Sequence, residues 1–393
     1  MTEESDLPEI KGKVAWLCTY TPEELIRAAG FLPYRPAVKA ESFDRKSGYL
    51  PGNLCPYVRG AAYKLLQIEE EELAGAVIAN SCNAMMHLYN MLRAESELPV
   101  FMLDLPRQRG QSARKYFSSS LQEMTGFLQE LGGEIEPGQL QNIMKMYKKT
   151  LEILRDLPGG IDENIKENED SSRVKQKYFK AGFIDDELGR RAFSEERDEF
   201  NKKLWERFHD GSREKEVFPD LSGQKKFILT GAQPHPAMTR VFRENGGAVF
   251  HDHCQGFRYW QKNYDISRAQ SAAGLQNSNE CEKSHKDKEI PGEDNIDILL
   301  QHLADVYLQK PICPRFSDYG ARQNFYEDLL AVYDFAGVVF HNLNFCDYAH
   351  YDYLRLKDFF QNREIPVLNL ATELSSGDKG QLRTRIEAFI EIV

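Results

Sequence analysis

The sequence predicts an α/β protein of two Rossmann-like (flavodoxin-like) parallel-sheet domains with a helical connector. Short apolar runs alternate with helical patterns in both halves of the chain, the order that lays helices on both faces of a parallel sheet. Between the halves, apolar residues recur only at helical spacing. At 393 residues the chain is also too long for one ordinary core. These observations place an N-terminal α/β domain at residues 1–111, the connector at 112–220 and a C-terminal α/β domain at 221–393.

The elements follow in order. Lys13 to Leu17 is a short apolar strand. Thr21-Pro22-Glu23-Glu24 opens a helix, with Thr21 as N-cap, Pro22 in the first helical position and acids in the first turn; Gly30 closes it. A loop from about Ala37 to Asn53 leads to Cys55 and a helix through Leu66. Strand Gly75 to Ala79, helix Ala84 to Arg93 and strand Val100 to Leu103 continue the alternation. In the connector, Phe117, Leu121, Met124, Phe127 and Leu128 share one helical spacing, and Leu140, Ile143, Met144, Tyr147, Leu151 and Leu154 another. The charged run Glu163 to Lys180 reads as a solvated loop or helix face. The second half has strands at Phe227 to Gly231, Gly247 to Phe250, Gly337 to Phe340 and Ile365 to Leu370. Its helices are expected at Pro236 to Glu244, Leu299 to Leu308, Asn324 to Phe335, Tyr348 to Phe360 and Gln381 to Ile392. Gln276 to Asp294 is polar and reads as a surface loop.

Composition narrows the function. A formal net charge of −11 argues against nucleic acid or an anionic membrane surface as the main partner, because both need a basic footprint. No stretch approaches the roughly 20 apolar residues of a membrane span. The opening Met1-Thr2-Glu3-Glu4-Ser5-Asp6 is acidic and polar, unlike a secretory signal. A cytoplasmic, reducing setting is therefore expected, where cysteines serve metals or catalysis more often than disulfides.

Of the seven cysteines, six stand where a strand hands over to a helix or at a helix mouth, three in each half. Cys18, Cys55 and Cys82 belong to the first half, and Cys254, Cys313 and Cys346 to the second. Open α/β sheets bind ligands at the carboxyl ends of their strands, and helix N-termini favour thiolate over thiol. Helix mouths are expected at Cys55, Cys82, Cys313 and Cys346. Cys281, in a polar stretch, falls outside the pattern. Any one of these cysteines, taken alone, reads as a small buried hydrophobe. Structural zinc would draw on local pairs such as Cys-x-x-Cys, which the chain lacks. Single cysteines converging from separate loops suit an iron–sulfur cluster in an interdomain crevice, although the compact ferredoxin run is absent.

Other candidates weigh less. His251 and His253 flank Cys254, and His341 and His350 bracket Cys346; each reads as a satisfied core or loop histidine before a donor to a cluster. Glu23 and Glu24 could carry protons beside Cys18, but acids at a helix start are ordinarily dipole partners. Tyr348, Tyr351 and Tyr353 read as core. Neither Gly-x-Gly-x-x-Gly nor a P-loop occurs, so ATP is not expected to bind this chain itself.

At the level of whole motifs the chain resembles the family of 2-hydroxyacyl-CoA dehydratase D-components and benzoyl-CoA reductase subunits. Cys18-Thr19-Tyr20-Thr21-Pro22-Glu23-Glu24, running on to Ala28-Ala29-Gly30, is similar to the family's opening element. Asn53-Leu54-Cys55-Pro56 resembles its second cysteine motif, and Ser81-Cys82-Asn83 stands where members carry Thr-Cys-Asp. Asp252-His253-Cys254-Gln255-Gly256, Leu343-Asn344-Phe345-Cys346-Asp347 and the closing run Gly380 to Glu391 match as well.

The resemblance implies cluster ligation. Family subunits hold one [4Fe-4S] cluster on three cysteines, whereas six matching cysteines resemble the double-cubane branch, with two cubanes joined by a sulfide as [8Fe-9S]. The implied ligands are Cys18, Cys55, Cys82, Cys254, Cys313 and Cys346. The implied function is an iron–sulfur oxidoreductase that takes low-potential electrons from a separate homodimeric ATPase activator, itself carrying a [4Fe-4S] cluster, and reduces a small-molecule substrate. The alternative is a radical 2-hydroxyacyl-CoA dehydratase subunit, in which a ketyl radical expels the hydroxyl. A non-catalytic electron-transfer subunit and a cluster-free remnant are blander readings. A homodimer is implied, with a heterodimer as its alternative.

Overall fold

A computed structural model describes residues 7–38, 50–67, 73–156, 179–184, 199–201, 221–265, 290 and 295–393. The first half runs β1 (Lys13–Trp16), α1 (Glu23–Ala28), β2 (Leu32–Tyr34), α2 (Pro56–Leu66), β3 (Leu73–Ala79), α3 (Asn83–Glu95) and β4 (Val100–Leu103). Two long helices follow, α4 (Gln111–Glu130) and α5 (Pro137–Asp156), then, among the described residues, a 3-10 turn at Lys180–Phe183. The second half runs β5 (Lys225–Gly231), α6 (Ala237–Glu244), β6 (Gly247–Asp252), α7 (Phe257–Trp260), α8 (Ile296–Leu308), α9 (Tyr319–Leu330), β7 (Gly337–Leu343), α10 (Asp347–Gln361), β8 (Val367–Thr372) and α11 (Asp378–Ile392).

Each half forms a four-stranded, all-parallel sheet, ordered β2-β1-β3-β4 and β6-β5-β7-β8. The two orders are the same topology. In each, the chain winds outward one way from its first strand and then the other, so a crevice opens beyond the carboxyl ends of the two central strands, β1 with β3 and β5 with β7. Cys18 leaves the end of β1 and Cys82 the end of β3, while Cys346 leaves β7. Three buried clusters hold this arrangement. One packs Ala15, Leu17, Ala76 and Ile78 against α2 and α3, and a second packs Phe227, Leu229 and Val339 against α6 and α11. The largest takes the other faces of both sheets, including Trp16, Val77, Ile228 and Phe250, together with α4, α5 and α8.

Local departures from the sequence expectations have identifiable causes. The strand β2 carries Pro33 and escapes a reading by propensity, yet it lies at the sheet edge, where a missing N–H is tolerated. The cap of α1 is Pro22, not Thr21; no side chain caps this helix, and the buried Thr21 Oγ1 has no hydrogen-bond partner. Gly30 does close α1, at φ +86°, and a Cβ there would stand 3.0 Å from the Glu9 carbonyl oxygen. The helix expected at Asn324 to Phe335 begins at Tyr319, because Asp318 accepts the Ala321 N–H at 3.0 Å. Cys313 therefore sits in a turn and not at a helix mouth. Tyr351 is 63% exposed rather than core, while Tyr353 packs on Phe340 and Tyr348 meets Arg107. Cys281, the run 163–178 and nearly all of 276–294 lie outside the described residues.

Candidate functional site

The six cysteines of the sequence pattern gather into two trios, and each trio draws on both halves of the chain. Cys18 of the first half lies within electrostatic reach of Cys254 and Cys313 of the second. Cys55 and Cys82 of the first half meet Cys346 of the second, with a hydrogen bond between the Cys55 and Cys346 side chains. The trios adjoin, since Cys18 also bears on Cys82. All six are free thiols. The division is thus one-plus-two and two-plus-one, where the sequence suggests three from each half.

The second trio is a meeting of helix mouths. Cys55, Cys82 and Cys346 are the N-cap residues of α2, α3 and α10. Backbone amides of Val58 and Tyr57 point at Cys55, those of Met85 and Ala84 at Cys82, and that of Ala349 at Cys346. The surroundings are apolar, with Leu17, Met85, Leu343 and Leu374 in the same buried cluster. The hydrogen bond from Cys346, aided by the amides, draws the Cys55 thiol below its usual range despite burial. Cys346, as donor in that pair and itself half-buried, is pushed well up. Burial raises Cys82 to about 11. The helix mouths expected to favour thiolates at all three positions do not outweigh burial on their own; only Cys55, with the added bond from Cys346, is drawn down.

The first trio is held by side chains. Arg35, at the end of β2, lies over the Trp16 ring at 5.0 Å. It reaches across to the second half, donating to the Cys254 carbonyl at 3.0 Å and approaching Cys254 Sγ at 3.7 Å. Arg315 packs over Tyr20 and Phe316 at 5.0 and 4.4 Å and donates to the Pro106 carbonyl at 2.7 Å. Its charge favours the Cys18 thiolate, although burial prevails and raises that thiol. Asp252, fully buried at the end of β6, accepts from Arg258 at 2.8 Å and from Arg322 at 3.0 Å. Burial opposes its charge, but the two guanidiniums win and hold the carboxyl far below the usual range. Arg322 Nη1 also donates to the Ile312 carbonyl at 3.2 Å and Nη2 to Asp352 at 2.7 Å. One guanidinium thereby fixes the chain just before Cys254 and just before Cys313.

Glu23 and Glu24, expected as dipole partners at the start of α1, are almost wholly buried. Lys262 of the second half bonds Glu24 at 3.1 Å and Glu23 at 3.4 Å. Tyr307 donates to Glu24 at 2.7 Å, Tyr264 also donates to it, and Tyr259 donates to Glu23 at 3.3 Å. Burial disfavours the Glu24 charge, but Lys262 and the tyrosines carry it below the usual carboxylate range. Lys310 donates to the carbonyl and hydroxyl of Thr19, beside Cys18, at 2.8 and 2.9 Å. His253 receives the Gln255 N–H on Nδ1, so its Nε2 donates to His251 Nδ1 at 3.2 Å. His341 pairs with Thr372 at 2.9 Å, and burial lowers it to about 3. These histidines bond one another and the strand ends. Arg35, Arg315, Arg322 and Lys310 escape sequence reasoning because isolated basic residues carry no spacing signal.

Among the described residues no three His, Cys, Asp or Glu side chains could hold a single metal ion. A cluster asks for a different arrangement, one thiolate to each of several irons, and so wider spacing between its ligands. The donor set fits such a group. It is all soft sulfur, it comes from strand ends, helix mouths and the turn after α8, and it faces amide and guanidinium donors that suit a thiolate-bound anion.

Residues 18–393 match the family described as 2-hydroxyglutaryl-CoA dehydratase, D-component. The chain is similar to the beta subunit of (R)-phenyllactyl-CoA dehydratase from Clostridium sporogenes, 22% identical over 95% of this chain and 89% of that one. It is similar to the beta subunit of (R)-2-hydroxyglutaryl-CoA dehydratase from Acidaminococcus fermentans, 22% identical over 97% of this chain and 93% of that one.

Proposed function

The chain belongs to the 2-hydroxyglutaryl-CoA dehydratase D-component family, and we propose that within it this protein is an iron–sulfur oxidoreductase holding a double-cubane cluster on its own six cysteines. Cys18, Cys254 and Cys313 would hold one half of the group, and Cys55, Cys82 and Cys346 the other. The single observation that carries this is the adjoining of two trios within one chain. When bound, the group supplies one-electron transfer at low potential. The chain's own part is to gather six thiols at the crevice of two sheets, keep them largely from water, and present amides and guanidiniums to the sulfurs. A separate ATP-hydrolysing activator would deliver the electrons, and the substrate would be a small molecule. The reading places the enzyme in the cytoplasm as a homodimer; no helix among the described residues is long and apolar enough to cross a membrane.

A dehydratase subunit is the second reading, favoured by the names of the two relatives. Anaerobic purification with iron and sulfide quantification separates the two. The oxidoreductase reading expects two cubanes' worth of iron per chain; the dehydratase reading expects one, with 2-hydroxyacyl-CoA dehydration requiring a different partner subunit. Replacing Cys82 by Ser keeps size but removes a soft ligand. Cys82→Ser should lower iron content and abolish activator-dependent reduction together. Full iron and full activity in that variant would remove the cluster reading's central support.

A further inference from the structure

The two trios are built from the same residue type but sit in unlike fields. At Cys55, Cys82 and Cys346 the positive end is supplied by backbone amides at three helix mouths, and the charged side chain that bears on Cys346 is the carboxylate of Asp347. Arg59, on the helix after Cys55, is paired to Glu373 and to the Leu54 carbonyl. At Cys18, Cys254 and Cys313 full positive charges take over. Arg35 is 4% exposed and meets Cys254 through both its carbonyl and its sulfur. Arg315 is equally buried and bears on Cys18. A guanidinium keeps its charge at every accessible pH, and its field is little screened where water is excluded.

Resting on the cluster reading above, we propose that Arg35 is a positioning residue that makes the Cys18, Cys254 and Cys313 side the more easily reduced of the two, so that an arriving electron resides there. Reduction adds one electron, supplied by a one-electron donor, and raises the negative charge on that side by one. Arg35 stabilises the extra charge through Cys254 Sγ, with no proton required. The stacking of Arg35 on Trp16 holds the guanidinium in place when the charge changes.

The test is an anaerobic redox titration of reconstituted full-length protein with titanium(III) citrate, read by electron paramagnetic resonance and iron content. The wild type should show two separate reduction events. Arg35→Gln, neutral but still able to donate a hydrogen bond, should lower the ratio of reduced to oxidised protein in the first event about tenfold at fixed potential, which is about 59 mV for one electron. The second event should move far less. Arg35→Lys, which keeps the charge, should stay within about twofold of wild type. Equal iron with both events unmoved in Arg35→Gln overturns the role of Arg35 and leaves the cluster reading standing. If Arg35→Gln holds too little iron to titrate, Arg35→Lys decides: a tenfold fall there, with charge retained, overturns the proposal. A wild type that takes up no iron overturns both readings.

Discussion

His341 shows how much a single buried base can weigh. It is fully enclosed, bonded to Thr372, and held neutral because burial and the neighbouring His235 oppose its charge. In the unfolded chain it titrates near 6.5, and in the fold near 3. The folded pKa is depressed for a base, so the unfolded chain binds the extra proton between these values. Its contribution is therefore complete above about pH 6.5 and is lost as the pH falls below it. By pH 5 the loss is about 2 kcal/mol, from roughly 1.4 kcal/mol per pH unit. Urea unfolding at pH 7 and pH 5 should find that the wild type loses about that much more than His341→Gln, which keeps a polar side chain but cannot titrate. Parallel losses would assign the acid sensitivity to other groups. The cysteines show the same contest between burial and partner. Cys55 is drawn down by its bond from Cys346, while Cys82, with amides but no such bond, is pushed up.

At the scale of the element, two kinds of helix start stand apart, those capped by a side chain and those whose N-cap is a cysteine; α1, α4, α6, α7 and α11 belong to neither. Helices α8 and α9 have side-chain caps, Asn295 accepting from Asp297 and Asp318 from Ala321. The helices α2, α3 and α10, whose N-caps are cysteines, have no side-chain cap. Their open amides are left to the sulfurs. Asp318→Ala should thus cost about 1 kcal/mol of stability, measured by thermal or urea unfolding, while iron content stays at the wild-type level; a loss of iron would mean that α9 positions the site as well. The turn after β6 shows the opposite economy. A Cβ on Gly256 would lie 2.3 Å from the His251 carbonyl oxygen, so the return after Cys254 depends on a bare backbone.

Across the whole molecule, the halves are joined by buried charge as much as by apolar packing. Lys262 lies among the Tyr147, Tyr259 and Tyr307 rings at 4.9, 5.5 and 5.0 Å, and ties α1 to the second half through Glu23 and Glu24. Since α1 follows Cys18 directly, this tether also sets where the first trio forms. Lys262→Ala would take away the cation that bridges two buried acids, and should cost about 3–5 kcal/mol. The double variant Lys262→Met with Glu24→Gln should recover part of that, because the more deeply buried of the two charges left by the lysine is gone. Equilibrium unfolding of the single and double variants checks this; equal destabilisation would mean that packing rather than charge pairing carries the contact.

The alternation of apolar runs and helical patterns determined the two parallel sheets, because strand and helix periods are local properties of consecutive residues. The placement of Cys18, Cys82, Cys254 and Cys346 after strands was likewise legible, since strand ends can be read from where an apolar run stops. Cys55 at a helix mouth followed from Pro56; the turn at Cys313 was not legible. Thr21 and Asp318 show where local reading gives way: both are good caps by type, and tertiary packing used one and buried the other. Nothing in the spacing could tell that the cysteines would sort as one-plus-two and two-plus-one, or that Arg35 would cross to Cys254. Those pairings depend on how the two sheets face each other, a long-range outcome of the shared core and the Glu24–Lys262 tether. Only the tertiary structure decided them, because contacts between residues more than 200 positions apart leave no trace in local periodicity.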